Sequence, residues 1–370
     1  MSARFLTVVL ERVFNMRDGF GREIDYMRIS VIDSCNLNCY YCNPCDNNEH
    51  CHALNILSVK EVLCIVRAAT RLGIKHFRLT GGEPLLHPQI DEMVLQIKKI
   101  PGVSSVSLTT NAVLLVQHAK WLKEAGIDSI NVSLDTIDAS EYERITKKPL
   151  LEEVKHGINA AIECGIRVKI NVVLTPQTDV VALTRYVAKK GTDIRFIEMM
   201  PVGEGHTNGV EPYKKVIGTL SKLYGEPCRI NTEKTKEINS GNDKRKIPDN
   251  GPAEYYIFPE LGIRVGLIQA IHGKFCDTCN RIRVTADGRL MPCLGSSVTM
   301  DLVPDSWDFA DDVEKDFVIV RALRAAIKAK PRCHNFNDNA VTYTKTTETK
   351  TTEIEAAEVN AARNMSRIGG

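Results

Sequence analysis

Two patterns of apolar positions alternate through the first half of the chain and slightly beyond. Short runs rich in β-branched residues are typical of buried strands: YMRISVI, HFRLT, SVSLTT, SINVSLD, VKINVVL and IRFIEMM. Between them, apolar residues recur at helical spacing in SVKEVLCIVRAATRLG, IDEMVLQIKKI, LVQHAKWLKEAG, LEEVKHGINAAIECG and DVVALTRYVAKKG. Several of these segments end in glycine, and Ser58 with Glu61 predicts a capping box at the start of the first.

Six strand–helix units in series predict a parallel sheet with helices outside it, because parallel strands need long crossover connections. Six units are fewer than a closed eight-fold barrel needs, so we predict an α/β fold with a partial, open (β/α)6 TIM-type barrel. Ligands of such folds gather at the carboxyl ends of the strands. The chemically unusual residues that follow predicted strands are Gly81-Gly82-Glu83, Asn111, Asp135 and Met199-Met200.

The pattern changes in the last third of the chain. A polar stretch, NTEKTKEINSGNDKRKIPDNG, precedes the strand-like runs AEYYIF, IRVGLI, RIRVT and RLMPC, and residues 311–330 have helical spacing. Residues 331–364 are polar and threonine-rich, which is typical of flexible segments. We predict a barrel core over 1–225, a C-terminal extension over 226–330 and a flexible tail over 331–370 ending in Gly-Gly.

Composition and charge exclude several classes of function. The 370 residues carry a formal net charge of +2, so no nucleic-acid partner is expected. No apolar run reaches the roughly 18 residues that span a bilayer, so no membrane partner is expected either. Twelve cysteines in a chain of this size favour metal binding over the disulfide framework of small secreted domains. We interpret the chain as a soluble intracellular protein.

Cys35, Cys39 and Cys42 follow the first predicted strand, within DSCNLNCYYCNPC. On a four-iron cube, three thiolates would occupy three corners and leave one iron open to a small molecule. The alternative is a structural zinc site, for which fourth ligands stand nearby at Cys45, Cys51, His50 and His52. The position of the loop before a Gly-Gly-Glu-Pro turn favours the iron–sulfur centre.

A second triad, Cys276, Cys279 and Cys293, lies in FCDTCNRIRVTADGRLMPCL. It lacks the second C-x-x-C pair of a zinc ribbon, although Cys333 could supply a distant fourth ligand. Without that ligand, the triad predicts a second cluster whose open iron faces a substrate.

Five of the cations on predicted strands are candidate ligand contacts. Arg281 and Arg283 alternate between the cysteines of the second triad, so they share one face and suit an anionic or purine-like substrate. Arg28, Arg78 and Lys169 lie on strands expected to be buried. Unpaired charges there are costly, so each needs an anion from the protein or from a ligand.

Nearly the whole chain resembles the GTP 3′,8-cyclases of molybdenum-cofactor biosynthesis, which belong to the radical S-adenosylmethionine (radical SAM) superfamily. The matching stretches include DGFGR, RISVIDSCNLNCYYCNP, FRLTGGEPLL, INVSLDTID, RFIEMMPVG, FCDTCNRIRVTADGRLMPCL and the terminal MSRIGG. The second triad with N-R-x-R and the Gly-Gly end are the more specific motifs, because a large superfamily shares the first triad.

The resemblance implies two [4Fe–4S] clusters, with SAM bound at the first. A 5′-deoxyadenosyl radical from SAM would remove the ribose H3′ of GTP, and C3′ would attack guanine C8 to give 3′,8-cyclo-7,8-dihydro-GTP. SAM contacts carry over to Tyr41, Gly82, Ser133 and Met200. GTP contacts carry over to Arg28, Arg78, Thr109, Lys169, Arg281 and Arg283. Catalytic roles carry over to Arg281, Arg283, Gly369 and Gly370, with the tail inserting toward GTP.

The expected partners are GTP, an electron donor and a downstream cyclic pyranopterin monophosphate synthase. The expected location is the cytoplasm, or the mitochondrial matrix in a eukaryote, and the oligomeric state stays open, a homodimer included. Departures from the family pattern are the extra thiols Cys45 and Cys51, His76 in place of a frequent lysine, and Ala112 in place of a glycine. The alternatives are a radical SAM enzyme acting on a peptide and a zinc-binding interaction protein that uses both triads.

Overall fold

The computed structural model describes residues 16–42, 55–202, 209–230, 251–296, 299–302, 312–334 and 336. The predictions for Cys45, Cys51, Gly369 and Gly370 lie outside the described residues, as does most of the proposed tail. No helix of the described part is long and apolar enough to cross a membrane.

One sheet runs through the described chain. Its strands are β1 (Tyr26–Ser30), β2 (His76–Thr80), β3 (Ser105–Thr110), β4 (Ser129–Ser133), β5 (Val168–Leu174), β6 (Asp193–Glu198), β7 (Cys228–Ile230), β8 (Glu254–Ile257), β9 (Arg264–Ile268), β10 (Arg281–Val284), β11 (Arg289–Met291) and β12 (Met300–Asp301). Their order is β12-β11-β10-β1-β2-β3-β4-β5-β6-β9-β8-β7, so the sheet is open and does not close into a ring.

The helices of the described residues lie between and after these strands. They are α1 (Val59–Arg71), α2 (Ile90–Lys98), α3 (Leu115–Glu124), α4 (Ala139–Thr146), α5 (Leu151–Glu163), α6 (Val180–Lys189), α7 (Gly218–Tyr224) and α8 (Asp312–Lys328). Six of them, α1 to α6, lie between the parallel strands β1 to β6, whereas α7 follows β6 and α8 follows β12. The predicted capping box begins α1, because the Glu61 backbone N–H donates to Ser58 Oγ and the Ser58 N–H donates back to Glu61 Oε2.

The six core strands β1 to β6 pair in parallel and in chain order, which confirms the predicted partial barrel. Two strands from the C-terminal region extend the same sheet, since β10 pairs in parallel with β1 and β9 pairs in parallel with β6. Eight neighbouring strands are therefore parallel, and antiparallel strands flank them at both ends. The boundary at residue 225 stays a prediction.

The two faces of the sheet differ in chemistry. Alternate strand residues such as Met27, Phe77 and Leu108 are fully buried in the hydrophobic core that the helices complete. The intervening residues on the opposite face are polar: Arg28, Arg78, Ser107, Thr109, Asn131 and Lys169. Strands of a parallel sheet are usually apolar on both faces, so this polar face is built to contact something other than core.

Candidate active site

The loop of the first triad lies at the carboxyl edge of the parallel strands, directly after β1. The turn after β2 packs against it, because the Gly82 N–H donates to the Ile32 carbonyl at 2.7 Å and the Glu83 N–H donates to the Ser34 carbonyl at 2.8 Å. A β-carbon at Gly82 would lie 2.2 Å from the Ser34 oxygen, which leaves no room for a side chain. Glycine is required here by the close approach of the two loops.

The three thiols of this loop are half-buried and influence one another. Burial raises the pKa of Cys35 to about 11, and the charge of Glu83 adds to the shift. Burial and the neighbouring Cys35 raise the pKa of Cys42 to about 12, and burial and Cys42 raise that of Cys39. The thiolates therefore lie close enough to repel one another, and a positively charged inorganic centre would reverse that penalty.

Three thiols on one loop are a donor set that fits a cluster with one open iron. Among the described residues, no three His, Cys, Asp or Glu side chains are arranged to hold one metal ion. Thiolates that each bind a different iron of a cluster need not converge on one point. The nearby groups that could complete a zinc site, Cys45, Cys51, His50 and His52, lie outside the described residues.

The predicted SAM contacts all lie at this carboxyl edge. Gly82 follows β2, Ser133 ends β4, and Met200 follows β6. Tyr41 stands between Cys39 and Cys42, and its hydroxyl donates to Asp135 Oδ2 at 2.5 Å. The other carboxylate oxygen of Asp135 accepts the Val173 N–H at 2.8 Å, and burial raises the pKa of this carboxyl to about 6. Asp135 thus ties the cysteine loop to the ends of β4 and β5.

The predicted substrate cations meet on the polar face. Arg28 on β1 is in register with Arg78 on β2 and with Arg283 on β10. Arg281 is in register with Tyr26, on the same face and two residues earlier along the strands. Burial, with the charges of Arg283 and Arg78, holds the pKa of Arg28 well below its usual range. Such a row of guanidiniums is suited to a polyanion.

Thr109 and Lys169, the remaining predicted GTP contacts, belong to the next register row of the polar face. Each is paired with Asn131 of β4, Thr109 from β3 and Lys169 from β5. Lys169 is 5% exposed and its Nζ lies 5.9 Å from the ring centroid of Tyr255 on β8.

The second triad lies beside the arginine row. Cys276 is buried in a short 3₁₀ turn, Cys279 follows that turn, and Cys293 follows β11. Burial opposes ionisation of Cys279, but the charges of Arg281 and Lys330 outweigh it and lower the pKa to about 7. Burial and Arg281 lower the pKa of Arg283 to about 10, partly offset by Cys293 and Cys279. The two arginines and the thiols of the second triad therefore act on one another directly.

Two buried cations hold the loops of the second triad, and sequence reasoning missed both roles. The Arg22 guanidinium donates to the carbonyl oxygens of Cys276 at 2.6 Å and Pro331 at 2.6 Å, while its Nε pairs with Asp18 at 2.5 Å. Lys330 Nζ donates to the carbonyls of Arg281 at 2.8 Å and Pro292 at 2.9 Å. The one signal in the sequence was the matching stretch DGFGR, which contains Asp18 and Arg22.

Comparisons with known proteins agree with this geometry. A family model described as the Radical SAM superfamily matches residues 29–182, and one described as Molybdenum Cofactor Synthesis C matches residues 192–336. The GTP 3′,8-cyclase of Clostridium perfringens (strain SM101 / Type A) is 36% identical over 324 residues, which are 87% of this chain and 95% of the relative. That of Petrotoga mobilis is 35% identical over 331 residues, 88% of this chain and 96% of the relative. The chain belongs to the GTP 3′,8-cyclase family.

Solved structures share the fold at lower identity. SuiB of Streptococcus suis bound to the precursor peptide SuiA matches with a TM-score of 0.55 at 14% identity, over 83% of this chain and 68% of that one. SuiB bound to S-adenosylmethionine matches with a TM-score of 0.53 at 16% identity, over 80% of this chain and 67% of that one. At this identity the likeness concerns the fold alone.

Two departures from the pattern of the GTP 3′,8-cyclase family have visible consequences. Ala112 has a φ of 66°, the left-handed conformation in which the glycine predicted here by the family resemblance would be less strained. His76 lies on the polar face, stacks on Tyr26 with 6.4 Å between ring centroids, and its Nδ1 lies 2.8 Å from Ser105 Oγ. Burial lowers the pKa of His76, so this side chain favours the neutral form, unlike the lysine that the family resemblance predicts at this position.

Proposed function

We propose that this chain converts GTP to 3′,8-cyclo-7,8-dihydro-GTP, the first step of molybdenum-cofactor biosynthesis. The observation that carries the proposal is the register of β10 with β1, which places Arg281 and Arg283 of the second triad on the polar face beside Arg28. The first triad lies at the carboxyl edge of that same sheet. Relatives that cover most of the chain carry the name of this activity, which supports the assignment.

In this proposal Cys35, Cys39 and Cys42 would hold a [4Fe–4S] cluster beside bound SAM. When bound, the two groups would supply the reductive radical chemistry that removes H3′ of GTP. The chain orients this site through its own contacts: Leu37 N–H lies 3.5 Å from Cys35 Sγ, and Asp135 fixes the Tyr41 ring between two cluster cysteines. A second-sphere hydrogen bond of this kind fixes the orientation of a ligand.

The polar face binds GTP. Arg28 and Arg78 of the arginine row neutralise triphosphate oxygens through charge-assisted hydrogen bonds, which offsets the cost of burying several like charges together. Arg281 and Arg283 direct the guanine toward the second triad, whose Cys276, Cys279 and Cys293 hold a second [4Fe–4S] cluster. Ring closure between C3′ and C8 would leave an unpaired electron on the guanine, and one electron from the electron donor with one proton would then give the cyclised product, in a lyase-class reaction. The expected protein partners are an electron donor and a downstream cyclic pyranopterin monophosphate synthase.

The test is anaerobic reconstitution followed by product identification. The protein should contain about eight irons with equimolar acid-labile sulfide, and with GTP, SAM and a reductant it should form the cyclised nucleotide. Cys35→Ala should abolish SAM cleavage, whereas Cys293→Ala should keep some uncoupled SAM cleavage and lose cyclisation. Cys164→Ala, a half-buried cysteine at the end of α5, is the matched control and should keep both activities.

Stoichiometric zinc without sulfide after anaerobic purification would overturn the assignment of both triads. Normal cyclisation by Cys293→Ala would overturn the role of the second triad alone. Modification of a peptide, with no product from GTP, would favour the peptide-modifying alternative.

A further inference from the structure

The side-chain amide of Asn131 has no hydrogen-bond partner among the described residues. Asn131 lies in the middle of β4 on the polar face and is 1% exposed. Its Oδ1 and its Nδ2 are both buried, and neither has a hydrogen-bond partner in the described part of the chain. An amide buried in this way destabilises the ligand-free protein, so the residue is suited to a group that arrives from outside.

The residues in register with Asn131 on the two adjacent strands are also polar. Thr109 is its register partner on β3, and Thr109 Oγ1 is likewise buried without a hydrogen-bond partner among the described residues. Lys169 is its register partner on β5 and supplies a positive charge. Three polar side chains on adjacent strands therefore form one row, and two of them have unused hydrogen-bonding atoms.

The depth of this row in the sheet indicates which part of a nucleotide it meets. Ser129, two residues before Asn131 on β4, is in register with Ser107 of β3. Ser107 is in turn in register with Arg78 of the arginine row. One step toward the carboxyl ends lies Ser133, a predicted SAM contact. Asn131 thus lies between the arginine row and the SAM site. The guanine side of the site, at Arg281 and Arg283, is four strands away on β10.

The donor and acceptor atoms of the Asn131 amide indicate which chemical group of GTP it binds. Phosphate oxygens only accept hydrogen bonds, so a phosphate would leave Asn131 Oδ1 without a donor. A hydroxyl both donates and accepts, and so matches the amide as well as Thr109 Oγ1. The part of GTP that must approach SAM in the proposed reaction is the ribose, since its C3′ loses the hydrogen atom. We propose that Asn131, together with Thr109, binds a ribose hydroxyl of GTP and fixes the sugar below the SAM site.

This inference rests on the proposed function. A comparison of how the wild type and its variants bind GTP and two deoxy analogues tests the inference separately. Equilibrium dialysis of the cluster-loaded protein would give Kd values for GTP, 2′-deoxyGTP and 3′-deoxyGTP. The wild type should bind the analogue that lacks the contacted hydroxyl about tenfold more weakly than GTP. Asn131→Ala should bind GTP about tenfold more weakly and bind that analogue as well as it binds GTP.

Thr109→Val, which removes only the hydroxyl function, should reduce the preference for GTP over the analogue that lacks the contacted hydroxyl. It serves as the test variant if Asn131→Ala does not fold. Ser129→Ala, on the same strand and face, is the control and should keep the full preference. Uncoupled 5′-deoxyadenosine per cyclised product should rise in Asn131→Ala, because a misplaced ribose is not attacked.

Unchanged discrimination against both analogues in Asn131→Ala and Thr109→Val would overturn the inference. A wild type that cyclises GTP under those conditions would still uphold the proposed function. A wild type that neither binds nor cyclises GTP would overturn the proposed function, and the assignment of Asn131 would be lost with it.

Discussion

Arg28 and Arg283 occupy the same register position on the neighbouring parallel strands β1 and β10, although 255 positions separate them in the sequence. Arg78 flanks Arg28 on the other side. Three guanidiniums side by side on a largely buried face repel one another, and both burial and this repulsion hold the pKa of Arg28 well below its usual range. The three guanidiniums therefore destabilise the anion-free protein, and a bound anion would stabilise it.

Arg28→Met should therefore have opposite effects on stability and on binding. The melting temperature of the GTP-free protein should rise, because a buried like charge is replaced by an apolar side chain of similar length. The Kd for GTP should increase by at least about tenfold, because a charge-assisted contact to phosphate is lost.

Differential scanning fluorimetry with and without GTP measures both effects. Arg71→Met removes a partly exposed arginine that pairs with Asp316 on α8, away from the polar face, and should leave GTP binding unchanged. A lower melting temperature with normal GTP affinity in Arg28→Met would show that Arg28 is structural.

Asn111 should tune the cluster that the first triad is proposed to hold. Its Nδ2 lies 3.8 Å from Cys35 Sγ and donates to Asn36 Oδ1 at 2.7 Å. Donors directed at a ligand sulfur favour the reduced, more negatively charged cluster. Asn111→Leu should shift the midpoint potential of this cluster to a more negative value in an EPR-monitored redox titration. Asn159→Leu is the control, because Asn159 accepts a hydrogen bond from Lys190 away from the first triad. An unchanged midpoint potential in Asn111→Leu would contradict the role of Asn111 in tuning the cluster.

His87 should make the fold sensitive to mild acid. It is 2% exposed, its Nε2 lies 2.9 Å from the Leu57 carbonyl oxygen, and its Nδ1 accepts the Gln89 N–H at 3.1 Å. Only the neutral ring satisfies both contacts, and burial lowers its pKa. Because the folded pKa lies below the unfolded value, the stability that His87 contributes is present above about pH 6.5 and is lost as the pH falls.

As the pH falls from about 7.5 to about 5.5, the free energy of unfolding of the wild type should therefore decrease relative to that of His87→Gln. Anaerobic urea titrations at both pH values measure it. His156→Gln, at an exposed position of α5, should keep the dependence of the wild type. An equal pH dependence in wild type and His87→Gln would contradict the assignment.

The terminal Gly369 and Gly370 remain a prediction, since they lie outside the described residues. Two glycines at a chain end cost entropy to order and gain little by burial, so a specific role requires a narrow site that they alone can enter. If the tail inserts toward GTP and orders Arg281 or Arg283, deleting both glycines should strongly impair cyclisation. Iron content and melting temperature should stay at wild-type values. Full cyclisation by the truncated protein would indicate an ordinary frayed end.

The sequence by itself determined the elements of the core and the members of both triads. Strand runs such as HFRLT, the helix begun by Ser58 and Glu61, and the spacing of Cys35, Cys39 and Cys42 are all local signals. Each depends on residues a few positions apart, where periodicity and chain geometry act directly. Alternation along RIRV likewise predicted that Arg281 and Arg283 share a face, as they do.

Only the tertiary structure decided which distant elements meet. The parallel pairing of β10 with β1 puts Arg283 beside Arg28, and the contact of Arg22 with the Cys276 carbonyl spans 254 positions of sequence. The bond from Tyr41 to Asp135 and the absence of a described partner for the Asn131 amide are also properties of the assembled sheet. Register between strands far apart in sequence is set by the packing of whole faces against the helices, and no local pattern encodes it.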